Sequence, residues 1–142
     1  MSNPNPKLLN ATITTAVTGV AGSVFTGNDG GVGGVTIQAN FTYGSGGTTA
    51  KVWVQTSLDK GATWIDAGYF SFTTASARQI LNLRSGTSIT TAATATDGTA
   101  AAVVDGIIGP QWRAKLTTTG TYVGGTTLVV DIYLNGAASV IP

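Results

Sequence analysis

The chain has no cysteine, no histidine and no glutamate. Without cysteine there is neither a disulfide nor thiol chemistry. Without histidine and cysteine, the usual ligands of zinc and most transition metals are missing. General acid–base and nucleophilic sites draw mainly on His, Cys, Glu and Lys. The composition therefore argues against an enzyme and leads us to expect no cofactor. Charge is scarce as well: charged residues make up 9% of the chain, against a usual share of about 25%. The net charge of +1 and the scattered basic residues give no electrostatic footprint for nucleic acid. No apolar run approaches the roughly 20 residues of a membrane span. The opening MSNPNPKLLN lacks the apolar core of a signal peptide, so synthesis and folding in the cytoplasm are expected.

What fills the chain instead is Thr, Gly, Ala and Val. Low charge combined with 42% hydrophobic residues is not the pattern of a disordered chain. A surface rich in Thr, Ser, Gly and Ala desolvates more cheaply than one of Lys and Glu. That points to life inside an assembly with copies of itself.

The dominant pattern has period two. Val35, Ile37, Ala39, Phe41 and Tyr43 alternate with Thr36, Gln38, Asn40 and Thr42. Val52 and Val54 alternate with Lys51, Trp53 and Gln55. The same holds for Trp112, Ala114, Leu116 and Thr118, and for Leu128, Val130, Ile132 and Leu134. Further strands are expected over Ala11–Thr18, Trp64–Phe72 and Arg78–Arg84, with an irregular one over Ser88–Ala95. Glycine-rich turns separate these runs, as at residues 27–31, 44–47, 96–98 and 124–125, where Gly supplies positive φ and Asn or Asp bond the turn backbone. No amphipathic helix is evident. The expected fold is all-β: an antiparallel β-sandwich of 7–9 strands, jelly-roll or immunoglobulin-like. Within Ser85–Gly109 we expect an irregular strand and a surface loop that meets a neighbour.

The predicted domain covers residues 10–136. Residues 1–9 are expected to form an extended arm outside it, because Pro4 and Pro6 disfavour helix and cannot donate to a sheet. Leu8 and Leu9 would anchor that arm on a neighbouring subunit. An apolar tail over 137–142 would dock likewise through Val140 and Ile141.

Three groups of residues invite functional readings. Trp53, Trp112 and Tyr133 could form an aromatic platform for a glycan if they shared one face, although Trp and Tyr are also ordinary core and interface residues. Asp97 with Thr96 and Thr99, and the turn around Asp29, could offer oxygen ligands to calcium. Neither has the spaced carboxylates of a dedicated site, and turn chemistry accounts for both. The run Ser57-Leu58-Asp59-Lys60-Gly61-Ala62-Thr63-Trp64 resembles the Asp-box hairpin at all four defining positions, Ser57, Asp59, Gly61 and Trp64. That resemblance implies a carboxylate at Asp59 bonded to turn amides, positive φ at Gly61, and Trp64 folded over the hairpin. In sialidase propellers the motif repeats away from the active site. Here it occurs once, as a hairpin staple.

On a larger scale, VWVQTSLDKGATWIDAGYFSF, DGIIGPQWRAKLTTTGTY and TTLVVDIYLNG, which mark the stretch from Val52 to Asn135, resemble small accessory virion proteins of tailed bacteriophages. The resemblance implies a Thr/Gly-rich β-sandwich without catalytic residues. It would lie in the virion, most simply decorating and cementing a capsid by binding the major capsid protein and copies of itself. A carbohydrate-binding module of a tail or host-recognition device is the alternative. A tail-tube or head–tail connector subunit is the third reading.

Overall fold

Val35, Ile37, Ala39 and Phe41 are all buried, while the residues between them stay partly open to solvent. The same division holds along Trp112–Thr118 and Leu128–Ile132. Strand alternation sends successive side chains to opposite faces, so each of these segments must lay one row against a partner. The computed structural model describes residues 6–27, 32–85, 88–98 and 103–137. Its strands are β1 (Lys7–Thr12), β2 (Val20–Ala21), β3 (Phe25–Thr26), β4 (Val32–Thr42), β5 (Ser45–Gly46), β6 (Thr49–Ser57), β7 (Ile65–Phe72), β8 (Ala77–Arg84), β9 (Gln111–Thr119), β10 (Tyr122–Val123) and β11 (Thr127–Ala137). Seven are long; β2, β3, β5 and β10 have two residues each. The fold is an all-β antiparallel sandwich.

The first sheet runs β1-β11-β4-β8, and the second runs β2-β9-β6-β7 with β3 also on β9. With β2 and β3 sharing one strand position, two four-stranded layers face each other. With β2 and β3 counted as one strand and the β5–β10 pair set aside, successive strands change sheet at every connection except β6 to β7. This is the connectivity of a jelly roll, one of the two architectures expected. A small ribbon of β5 and β10 closes one end. There Phe41 stacks on Phe72 at 5.0 Å between centroids, and Tyr122 meets the Phe41 ring edge-on at 5.7 Å. The Tyr122 hydroxyl donates to the Thr73 carbonyl at 2.6 Å. Burial raises the Tyr122 pKa, with a smaller contribution from Tyr43.

The arm expected over residues 1–9 does not lie outside the sandwich once Lys7 is reached. β1 begins there and pairs with β11. Leu8 and Leu9 are buried in the protein's own core, not held for a neighbour. A register shift between Lys7 and Leu9 lets two consecutive leucines sink inward, as a bulge permits. Pro6 sits just before the strand, where its missing N–H forfeits no ladder bond. Its carbonyl accepts from the Ile132 amide at 3.0 Å. Pro4, Val140 and Ile141 lie outside the described residues. The sheet also extends past the expected boundary at 136, since Ala137 still pairs with Val32.

Two predicted strands are not strands. Residues 13–18 leave the sheet after Thr12, and 88–95 run without ladder pairing. Both stretches are rich in Thr and Ala, which carry a weak alternating pattern but too little apolar surface to claim a sheet position.

Truncating Leu8 to Ala is expected to cost about 2–5 kcal/mol, the range for a buried leucine. Deleting residues 1–9 should unfold the domain. Denaturant titration of both variants checks this, and an unchanged midpoint would show that β1 is dispensable.

Candidate functional site

The turn between β6 and β7 is built around two side chains. Ser57 Oγ accepts from the Gly61 amide at 2.9 Å and donates to Asp59 Oδ1 at 2.9 Å. Asp59 Oδ1 also accepts from the Thr63 amide at 2.7 Å. Gly61 has φ +91°, and Lys60 adopts φ +60°, a left-handed conformation uncommon outside glycine. Trp64 is buried beneath the turn, 3.6 Å from where a Cβ on Gly61 would stand. The Thr63 amide is the main cause holding the Asp59 carboxyl below its ordinary value of 3.8, with further bonds from the Thr63 and Ser57 side chains.

Immediately below this hairpin, β6 and β7 lose register between Val54 and Gln55: Val54 pairs with Gly68, but Gln55 pairs with Asp66. The additional residue is Ala67, which is buried. A bulge bends the strand and re-aims its side chains. Here it accompanies two polar residues, Gln55 and Asp66, that are both fully buried.

They are buried because a strap, described at residues 96–98 and 103–104, crosses them. Asp66 holds the strap from its side chain and its backbone together. Its Oδ2 accepts from Thr96 Oγ1 at 2.8 Å, and the Gly98 amide lies 2.9 Å from both carboxylate oxygens. The Asp66 amide donates to the Thr96 carbonyl at 3.1 Å, and the Asp66 carbonyl accepts from the Val104 amide at 2.9 Å. Gln55 then joins the carboxylates: its Nε2 donates to Asp66 Oδ1 at 2.8 Å and to Asp97 Oδ1 at 2.7 Å. Its Oε1 accepts from Arg113 Nε at 2.7 Å. Asp97 Oδ1 further receives Lys115 Nζ at 2.8 Å and Arg113 Nη2 at 3.2 Å. The Arg113 guanidinium lies 4.3 Å over the Trp64 ring, a cation–π contact that ties the clasp to the hairpin above it. Gly98, at φ +71°, fits between the Lys115 stem and the Trp53 indole. A Cβ there would come 2.9 Å from Lys115 Cδ.

The cluster comprises two carboxylates, two cations and one amide, so its formal charge is zero. Burial pushes the Asp97 carboxyl up, but bonds from Lys115 and Gln55 and the charges of Lys115 and Arg113 outweigh it and hold the carboxyl below 3.8. A carboxylate stabilised in its charged form and engaged by several donors is poorly placed to shuttle protons near neutrality. Asp97 belongs to this clasp through a bond from Gln55 and two ion pairs, where bonds to its own turn were expected. Thr99 and Asp29 lie outside the described residues, and among the described residues no group of three potential metal-ligating side chains comes together.

The aromatic platform is not assembled. Trp112 is 1% exposed and points between the sheets. Trp53 lies on the outer face of the second sheet, beside Tyr69 at 5.4 Å and under the strap, and is 5% exposed. Tyr133 stands on the outer face of the other sheet, 57% exposed. Alternation puts Trp112 on the inner face of its strand, so the three residues cannot share a surface. Tyr133 instead belongs to an open face formed by β11, β4 and β8, with Thr36, Gln38, Asn40 and the exposed Ile80. The Lys7–Asp131 ion pair, 2.9 Å long, lies on the β1 side of that face.

No protein-family model, curated protein or solved structure matches the chain. Among the described residues no helix is long and apolar enough to cross a membrane.

Removing Gln55 as Gln55→Ala strips two carboxylates and a guanidinium of a shared partner. A loss of about 1–3 kcal/mol is expected, as for buried polar groups left unsatisfied. Denaturant unfolding measures it, and an unchanged midpoint would mean the amide carries no weight. Acid should act on the same cluster. Because the Asp97 and Asp59 values are depressed in the folded protein, their stabilisation is complete above 3.8 and is lost as pH falls through the lowered values. Asp97→Asn should flatten the melting temperature's fall below that pH. A pH–melting profile identical to the parent's would contradict the assignment.

Proposed function

We propose that the chain is a non-enzymatic structural virion protein that decorates and stabilises a phage capsid. The observation that carries this reading is the contrast between the two sheet faces. The outer face of the second sheet is closed by the strap, and the cluster of ionisable side chains beneath it serves to hold that strap. The outer face of the first sheet is open: its β4 row is uncharged Thr36, Gln38 and Asn40, two large side chains, Ile80 and Tyr133, are exposed beside it, and its charges are Arg78 and Arg84 on β8 and the Lys7–Asp131 pair on the β1 side. The uncharged central row loses little on desolvation, and an exposed aromatic on a flat surface suits a protein interface.

The phage-like phrases of the sequence supply the setting. The major capsid protein and further copies of this chain are the expected partners; nucleic acid and membrane are not. The jelly roll itself serves unrelated functions and supports the reading only as an analogy. The glycan-binding alternative loses its motivation with the dispersal of Trp53, Trp112 and Tyr133.

Cryo-electron microscopy of the parent particle tests the proposal. The expected result is density for the jelly roll at repeated positions on the shell, with Tyr133 at a contact. Tyr133→Asp and Ile80→Asp should lower occupancy on the particle without changing the melting temperature of the isolated chain. A ring of fixed copy number at the tail would move the chain to the tail-tube or connector reading. Absence from shell and tail would overturn the proposal.

A further inference from the structure

An edge strand displays unpaired N–H and C=O groups that can pair with another chain. The sandwich has four such edges, and three are guarded. At β7, Asp66 gives both its amide and its carbonyl to the strap. Beside β1, Gly22 approaches so closely that a Cβ would strike the Leu8 carbonyl oxygen, and its amide bonds the Ala114 carbonyl of the facing sheet at 2.8 Å. β2 and β3 are two residues each, too short to template a partner.

β8 is different. It is eight residues long and pairs with β4 on one side. Among the described residues no hydrogen bond reaches its backbone on the other side. Its solvent-facing row is Arg78, Ile80, Asn82 and Arg84, all exposed, with Ile80 at 61%. Among the described residues neither arginine has an ion-pair partner. Along the Arg84 end runs a groove of about 220 Å³, bordered across from β8 by Asp105 and Gly106, which gives an incoming backbone a seat.

The charges on this row select the occupant. Full-length antiparallel pairing of β8 with a second copy, centred on Leu81, would set Arg78 opposite Arg84 twice. Like charges directly opposite are destabilising, so the row guards against that pairing. An opposite charge at the same two places would satisfy both arginines. We infer that β8 is an acceptor edge for an extended segment of a partner protein whose carboxylates lie six positions apart, opposite Arg78 and Arg84. In a strand that spacing spans roughly 20 Å. Main-chain bonds supply the pairing and the two ion pairs set the register, as in strand addition to a sheet edge. The inference does not depend on where the chain resides.

The test uses the whole isolated chain and two synthetic peptides of alternating Thr and Val. One carries aspartates six positions apart and the other carries lysines there. Amide chemical shifts should move along 77–84 on adding the aspartate peptide, and the lysine peptide should bind at least about tenfold more weakly. The double variant Arg78→Glu, Arg84→Glu should reverse that preference with an unchanged melting temperature. Equal binding of both peptides, shifts centred elsewhere, no binding of the aspartate peptide at about millimolar concentration, or self-association through β8 would each overturn the inference.

Discussion

A carboxylate buried on the outer side of a sheet must find donors, and Asp66 finds them in the strap and in Gln55. Gln55, Thr96 and the Gly98 amide converge on its two oxygens. Leaving such a group unpaired is far more costly than the net gain from pairing it. With Asp66 in place at the bulge, Thr96, Gly98 and Val104 are all held against it. Asp97 then falls within reach of Arg113 and Lys115, and Gly98 falls onto Trp53. The second sheet's outer face, its β7 edge and its largest outward aromatic are all covered as a consequence. Buried ionic clusters are weak sources of stability compared with apolar packing. The value of this one lies in fixing where the strap runs.

The hairpin and the clasp form one mechanical unit. Ser57 and Asp59 shape the turn, and Trp64 leaves it pointing down onto Arg113. Arg113 in turn bonds Gln55 and Asp97. A short local motif is thereby connected to a loop some thirty residues later in the chain. Among the described residues the first sheet has no comparable cover, and its outer face and β8 edge stay open.

The period-two rows made the fold class readable. The inward residues of β4, β9 and β11 follow directly from alternation, and the hairpin at Ser57–Trp64 was visible because its determinants are within eight residues. What could not be read was anything fixed by distant pairing. Gln55, Asp66, Asp97 and Arg113 are separated by up to 58 positions, and no local pattern announces that they meet. A polar residue at an outward strand position looks like ordinary surface until the strap is known to lie over it. The place of residues 7–9 escapes a local reading for a related reason. Pro4 and Pro6 argue against a central strand, but β1 is an edge strand, and Leu8 and Leu9 had a core to enter.

The central claim is that the ionisable cluster fixes the strap to the second sheet. Amide hydrogen exchange on the intact chain tests it most directly. The Gly98 and Val104 amides, bonded to the Asp66 side chain and carbonyl, should be protected in the parent. In Asp66→Ala the Gly98 protection should collapse and the strap should open, while amides of β4 and β11 remain slow to exchange. Rapid exchange at Gly98 and Val104 in the parent, or protection unchanged in the variant, would contradict the account.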